Sequence, residues 1–182
     1  MIIDSTYFTG PLMIASLGSV GVLNTVNDYI ENHEPELLSR AIGESLTEAL
    51  YQAIEDLGSD EELDPKWQKL LTGEVFTARN GRRTTWKGLA PTLKGGPIAA
   101  YVWFHYNRDI SMQTAAIGTV QTQAENSNVI SGMQVQSKAW NSMVYDLLVL
   151  WEYLATNLTT YTEYVSSERD TRAFGTINQF GI

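Results

Sequence analysis

The stretch EPELLSRAIGESLTEALYQAIEDLG, residues 34–58, constrains the fold more than any other part of the chain. Its apolar side chains recur at the three- and four-residue spacing of one face of an α-helix. Pro35 suits a first helical turn and Gly58 suits a helix end, so the pattern predicts one long helix between them. The predicted apolar face consists of Leu38, Ile42, Leu46, Ala49, Leu50, Ala53, Ile54 and Leu57.

Four further segments are predicted to be helical. A short helix is expected at about 23–31, and a second follows Asp64, which suits the N-cap of a helix ending at Gly73. A third opens at Pro97 and is aromatic on all sides, which indicates a buried helix. The last runs over about 133–156.

These patterns predict a mainly α fold, a small bundle of about four to five helices with one β-hairpin around 75–86 and extended terminal arms. The bundle is assigned to 23–157, with the hairpin inserted at 74–87, and the arms to 1–22 and 158–182. A chain of 182 residues is long enough for one hydrophobic core and short for two.

The hairpin has the sequence VFTARNGRRTTW. Both strands are rich in β-branched and aromatic residues, and Asn80-Gly81 suits the two central positions of a type I′ turn. The register that this turn predicts pairs Val75 with Trp86, Phe76 with Thr85, Thr77 with Thr84 and Ala78 with Arg83.

Charge is distributed in two blocks of opposite sign. Residues 28–64 contain twelve acidic residues and one basic residue, whereas residues 66–94 contain seven basic residues and one acidic residue. The basic hairpin carries four cations that could solubilise its turn, meet the acidic segment, or contact a neighbouring copy; they are Arg79, Arg82, Arg83 and Lys87. Because opposite patches steer association, contact with another protein surface is the preferred interpretation.

DNA is the other partner that a basic ribbon could contact. Phosphate binding needs clustered Arg or Lys, but a dedicated binder is normally basic overall. With a formal net charge of -9, the chain is compatible with brief contact with DNA rather than tight binding.

The residue types needed for catalysis do not form a recognisable site in the sequence. Without cysteine, the chain has no disulfide, thiolate metal site or thiol nucleophile. His33 and His105 lack metal-ligand spacing, and His105 is predicted to be a hydrogen-bonded core residue. Glu44, Glu48 and Glu55 lie off the apolar face, so they are expected in solvent. We therefore predict no enzyme, no cofactor and no metal site.

The N-terminus does not have the pattern of a signal peptide, since it lacks a basic region and contains Asp4 and Gly10-Pro11. Its apolar stretch at 11–23 is too short to span a bilayer. We expect a soluble protein, made in the cytoplasm, with no membrane partner.

Several short motifs together resemble the head-to-tail connector proteins of tailed bacteriophages, also called head completion or neck ring proteins. The likeness is greatest to those of phages of gut Bacteroidales, including the crAss-like group, and it covers nearly the whole chain. The motifs, in order, are YFTGPLMI, YIENHEPELLSRAIGESLTEAL, PKWQKLLTGEVFTARNGRRTTWKGL, AENSNVISGMQ, AWNSMV and INQFGI.

The resemblance implies a structural virion protein rather than an enzyme. Such proteins assemble as a ring, commonly twelvefold, beneath the portal, extend the DNA channel and provide a platform for neck or tail proteins. It implies that Tyr7, Phe8 and Phe180 anchor neighbouring subunits, and that the hairpin meets the portal, a neighbour or the channel. The expected location is the virion neck, with assembly in the host cytoplasm.

A negatively lined channel would repel the DNA backbone and let it slide. On this hypothesis Glu44, Glu48 and Glu55 face the channel or a neighbouring copy. The sequence leaves two alternative functions: a small soluble helical binding or regulatory protein, and a carboxylate-based enzyme.

Overall fold

The chain folds as a helical bundle with a hairpin packed on one side, in a computed structural model that describes residues 1–58, 62–115 and 132–178. The helices in these ranges are α1 (Val20–Ile42), α2 (Glu44–Glu55), α3 (Pro65–Thr72), α4 (Gly96–Ala115) and α5 (Gly132–Thr156), and the strands are β1 (Glu74–Thr77) and β2 (Arg83–Trp86). The hairpin packs on α5, α5 on α4, α4 on α1 and α1 on α2.

The predicted fold class is confirmed: the described chain is mainly helical and carries a single antiparallel hairpin. The sequence predicted the positions of α3 and α5 closely. Asp64 caps α3 by accepting a hydrogen bond from the backbone N–H of Lys66, and Gly73 ends the helix as expected. The core runs through every principal element, and its largest fully buried side chains are Trp86, Tyr101, Tyr153, Tyr161, Ile30, Leu37, Leu38, Ile42, Leu46, Leu50, Leu70 and Leu89.

The predicted helix over 34–58 is wrong in its start and in its continuity, whereas its end at Glu55 lies close to the predicted stop at Gly58. Pro35 does not begin a helix but lies inside α1, which runs through it from Val20 to Ile42. A proline there deprives the Glu31 carbonyl of its helical donor, but Pro35 is exposed to solvent, and apolar burial on both sides keeps the helix continuous. The break comes instead at Gly43, whose φ of 87° ends α1 and starts α2.

Helix α4 is longer than the sequence indicated. Residues 111–132 are polar and weakly patterned in the sequence, which predicts a loop, but α4 continues through Ala115. The rest of that predicted loop, 116–131, lies outside the described residues.

The hairpin forms, but its predicted register is wrong by one residue. The structure pairs Glu74 with Trp86, Val75 with Thr85, Phe76 with Thr84 and Thr77 with Arg83. The turn has three residues rather than two, because the N–H of Ala78 donates to the Arg82 carbonyl. Only Gly81 takes a positive φ, 80°, which is the pattern of a type I turn followed by a bulge.

Two glycines let the base of the hairpin lie directly against the end of α3. A Cβ on Gly73 would be 2.4 Å from the Trp86 carbonyl oxygen, and one on Gly88 would be 2.2 Å from that of Leu71. The close approach allows the N–H groups of Leu89 and Ala90 to donate to the carbonyls of Leu70 and Leu71. The indole of Trp86 also donates to the Leu70 carbonyl, at 3.0 Å.

The N-terminal segment is part of the folded subunit and not a separate arm. Ile3, Phe8, Leu12 and Ile14 are buried in the core. The carboxylate of Glu34 is itself buried and accepts hydrogen bonds from the backbone N–H groups of Ile2 and Ile3 at 2.7 to 3.0 Å. We call residues 1–17 the N-terminal strap.

The C-terminal segment is likewise attached to the bundle as far as it is described. Its sequence predicts strand-like pieces, but the segment as described contains a 3₁₀ turn at Thr171–Phe174 and no strand. Glu168 accepts hydrogen bonds from the backbone N–H and hydroxyl of Ser45, and the N–H of Asp170 donates to the Arg40 carbonyl at 2.8 Å. None of the helices in the described ranges has the length and apolar content needed to span a bilayer.

Candidate assembly surface and histidine cluster

All four hairpin cations are exposed, but two of them make contacts within the chain and two do not. The backbone N–H of Arg79 donates to Glu152 at 2.8 Å, and its guanidinium donates to the Ala155 carbonyl at 3.1 Å. The guanidinium therefore interacts favourably with the C-terminal end of α5. The ammonium of Lys87 lies 2.9 Å from the carboxylate of Asp146.

Arg82 and Arg83 are exposed, and their side chains have no hydrogen-bond or ion-pair partner among the described residues. Among the described residues, which omit 59–61, the acids that meet the hairpin cations come from α5 and not from the 28–64 segment. Sequence reasoning could not separate the four cations, because the α5 partners lie 59 to 76 residues away along the chain.

An apolar groove of about 910 Å³ lies beside the hairpin. Its walls are residues 9–12 of the N-terminal strap, both hairpin strands, the 91–96 loop and one face of α5. Leu93 lines it with 93% of its surface exposed. Three of its lining residues are exposed cations, namely Lys87, Lys94 and Lys138.

The carboxylates of α2 lie on its solvent side. Glu44, Glu48 and Glu55 are all exposed, as predicted, and α2 contains no basic residue. Of the three, Glu44 and Glu48 line a depression between α1 and α2 together with Glu36 and Ser39, whereas Glu55 does not. They form one acidic face, which α1, α4 and α5 separate from the hairpin in the packing order.

The proposed subunit anchors differ in their availability. Phe8 is 3% exposed and packs inside its own subunit, so the expectation that it projects to a neighbour is corrected. Tyr7 is half-buried, with the Lys94 ammonium 4.4 Å from its ring centroid. Phe180 lies outside the described residues.

A cluster of two histidines and a carboxylate joins α1 to α4. The rings of His33 and His105 are stacked with centroids 4.3 Å apart and planes 18° from parallel. Glu36 lies one turn after His33, and its Oε2 is 2.8 Å from Nδ1 of His33. One potential ligand atom from each of the three residues lies within 4.8 Å of the others.

The prediction that the His105 side chain is hydrogen-bonded is wrong. Both of its ring nitrogens are buried, and neither has a hydrogen-bond partner among the described residues. Burial, together with the adjacent His33 ring and the Arg108 guanidinium, lowers the pKa of His105 to about 4. The imidazole is therefore neutral at pH 7 and keeps a free electron pair.

This cluster is the feature that sequence reasoning missed. The spacing of His33 and Glu36 places both on one face of a helix, but only the packing of α1 on α4 brings in His105. The continuous α1 is also necessary, because the predicted break at Pro35 would have separated His33 from Glu36.

Comparison of the chain with protein-family models, with curated proteins and with solved structures finds no match. The resemblance to phage connectors therefore depends on the sequence motifs quoted above.

Proposed function

We propose that the chain is a structural subunit that assembles with copies of itself into a ring, as a head-to-tail connector of a tailed bacteriophage. The observation that carries the proposal is the exposed apolar groove beside the hairpin, with an acidic face on a different element of the same chain. The occupant that we assign to the groove is a second copy of the chain.

Charge complementarity supports that choice of occupant. The groove and the hairpin present exposed cations, whereas the exposed face of α2 carries only acidic charge. When a subunit carries two different, complementary patches, one patch of each copy binds the other patch of the next copy, head to tail. Such contacts give a closed ring when the rotations between successive copies add up to a full turn. Exposed ion pairs add little affinity, so the apolar groove would supply most of the binding free energy and the charges the orientation.

The channel hypothesis follows from the same arrangement. With the acidic face of α2 turned partly to the ring lumen, the packaged DNA would be repelled and would pass with only brief contacts. The portal above and the neck or tail proteins below would be the further partners.

Reversing the two free hairpin cations is expected to weaken assembly without unfolding the subunit. In an Arg82→Glu/Arg83→Glu variant, like charges would face the acidic patch, so we expect the assembled mass seen by light scattering to fall at physiological salt. The monomer should keep its unfolding midpoint, because both side chains are exposed. Arg172→Glu, compared with Arg82→Glu alone, makes the same change in net charge away from the turn, at an exposed side chain without an ion pair among the described residues. Equal assembly of both variants would contradict the assigned role.

Leu93→Asp tests the apolar part of the same contact. Leu93 is almost fully exposed, so its replacement should change the free energy of unfolding by less than about 0.5 kcal/mol. If a neighbour covers it, the association constant should fall by roughly 30-fold, the loss of about 2 kcal/mol typical of a central contact. Val20→Asp, at another exposed apolar residue, is the control.

The groove volume also suits a small apolar ligand, which favours the alternative of a small binding protein. Imaging of the virion neck of the encoding phage at side-chain resolution decides between the two. A ring with the groove against the adjacent copy supports the proposal. A neck without this chain, or a groove open to solvent in the assembled ring, contradicts it.

A further inference from the structure

We propose that His33, Glu36 and His105 bind a divalent late first-row metal ion, represented by Zn²⁺, which joins α1 to α4. The inference is independent of ring assembly, because all three ligands belong to one subunit.

The donor set has the composition that such ions prefer. Two imidazoles and one carboxylate suit zinc and its neighbours, whereas magnesium and calcium prefer oxygen alone. Three protein ligands leave one position of a tetrahedral ion for water. Donor atoms around a tetrahedral Zn²⁺ lie about 3.3 Å apart, given bonds of about 2.0 to 2.1 Å. Because the three atoms already lie within 4.8 Å of one another, small side-chain rotations would complete the site.

The unpaired nitrogens of His105 are the independent observation that points to a ligand. A buried polar atom without a partner costs about 1 to 3 kcal/mol, so native structures usually satisfy such atoms. Within the described part of the chain both nitrogens of His105 are left without a partner, although the Glu36 carboxylate and the His33 ring lie beside them. A metal ion bonded to His105 would give one of its two ring nitrogens a partner.

The surroundings orient the carboxylate and limit the affinity. Arg40 lies 3.1 Å from Oε1 of Glu36, which leaves Oε2 directed at His33. Such a second partner fixes a ligating carboxylate in place. Arg108 is also close, but its Nε lies 3.1 Å from the carboxylate of Asp109, which offsets its charge. The side chains of His33 and Glu36 are 20% and 31% exposed, so an ion could enter from solvent.

The composition of the chain makes the experiment unusually direct. The sequence has two histidines and no cysteine, so a site with two nitrogen ligands can only be this one. The full chain, prepared without a histidine tag and treated with chelator, would be titrated with Zn²⁺ by calorimetry. X-ray absorption of the zinc-loaded protein would count the imidazole ligands, and ¹⁵N spectra of the two imidazoles would locate the metal.

We expect one equivalent of Zn²⁺ to bind, with two imidazoles in its first shell and shifted ¹⁵N signals from both rings. His105→Gln and His33→Gln should each lower the affinity by at least the roughly 10- to 100-fold that loss of a second-shell partner costs. Glu48→Gln, on the exposed face of α2, should bind zinc like the unmodified protein. Unfolding midpoints would be measured for each variant, since a variant that remains folded reports on the ligand itself.

Three results would overturn the proposal: no binding above that of the acidic surface, unchanged affinity in a folded His105→Gln variant, or an all-oxygen shell. Should His105→Gln fail to fold, the ¹⁵N spectra of the unmodified protein still decide, because unshifted imidazoles on zinc addition exclude the site.

Discussion

Gly88→Ala is expected to lower the free energy of unfolding by about 3 to 5 kcal/mol, a large part of the stability of a domain of this size. The added Cβ would lie 2.2 Å from the Leu71 carbonyl oxygen and 2.6 Å from the Thr72 carbonyl carbon. The Leu71 carbonyl is held in place by a hydrogen bond from the N–H of Ala90. Relieving the clash would therefore break the contact between α3 and the hairpin. The φ of 100° at residue 88 adds backbone strain. Urea unfolding followed by tryptophan fluorescence measures the loss.

Two other glycines serve as matched controls for this prediction. Gly81 also has a positive φ, but a Cβ there meets nothing within 4 Å, so alanine should cost only the backbone strain of about 1 kcal/mol. Gly21 lies in the first turn of α1 with open space around it, so alanine should be neutral or stabilising. A Gly88→Ala loss no larger than that of Gly81→Ala would refute the close-approach argument.

Glu34→Leu is expected to detach the N-terminal strap and to cost about 2 to 4 kcal/mol. Its carboxylate is 1% exposed and accepts from the backbone N–H groups of Ile2 and Ile3 and from the hydroxyl of Tyr51. Leucine would leave these donors buried without an acceptor. Release of the strap would also expose the apolar surface that Phe8 covers.

Hydrogen exchange of the strap measures this effect locally. We expect the amides of residues 2–8 to lose protection in Glu34→Leu, while those of α5 change less. Glu31→Leu, at an exposed position one turn earlier on α1, should leave the exchange of the strap unchanged. Retained protection in Glu34→Leu would mean that apolar contacts alone hold the strap.

Local chemistry in the sequence located the elements whose ends it controls. Asp64, Pro65 and Gly73 bound α3 because each acts on its own or adjacent backbone groups. The hairpin was found for the same reason, through its β-branched strands and its Asn-Gly turn. The register was wrong because Asn80-Gly81 suits both a two-residue and a three-residue turn, and the packing of Arg79 on α5 favours the longer one.

Long-range contacts decided the features that the sequence did not predict. Pro35 usually marks a helix start, but the burial of Glu34 and Leu37 on the same helix outweighs the missing hydrogen bond. The terminal segments lack periodicity, so they resembled free arms, although single residues such as Phe8 and Phe174 are buried in the core.

The candidate sites also divide into those set by local sequence and those set by long-range packing. The basic turn and the exposed acids of α2 could be predicted, because charge on a helix or a tight turn is normally solvated. The apolar groove could not, since its walls come from four separate segments. The histidine cluster required the packing of two helices whose histidines lie 72 positions apart in the sequence.

The attachment of the C-terminal segment to the start of α2 bears on when a newly made chain completes its fold. Glu168 reaches Ser45 across 123 positions of the chain, and Asp170 holds the end of α1. Contacts between such distant positions form late, after shorter-range structure is in place. During synthesis the nascent bundle would thus keep this end unfinished until residues 168–170 have been made and can reach Arg40 and Ser45.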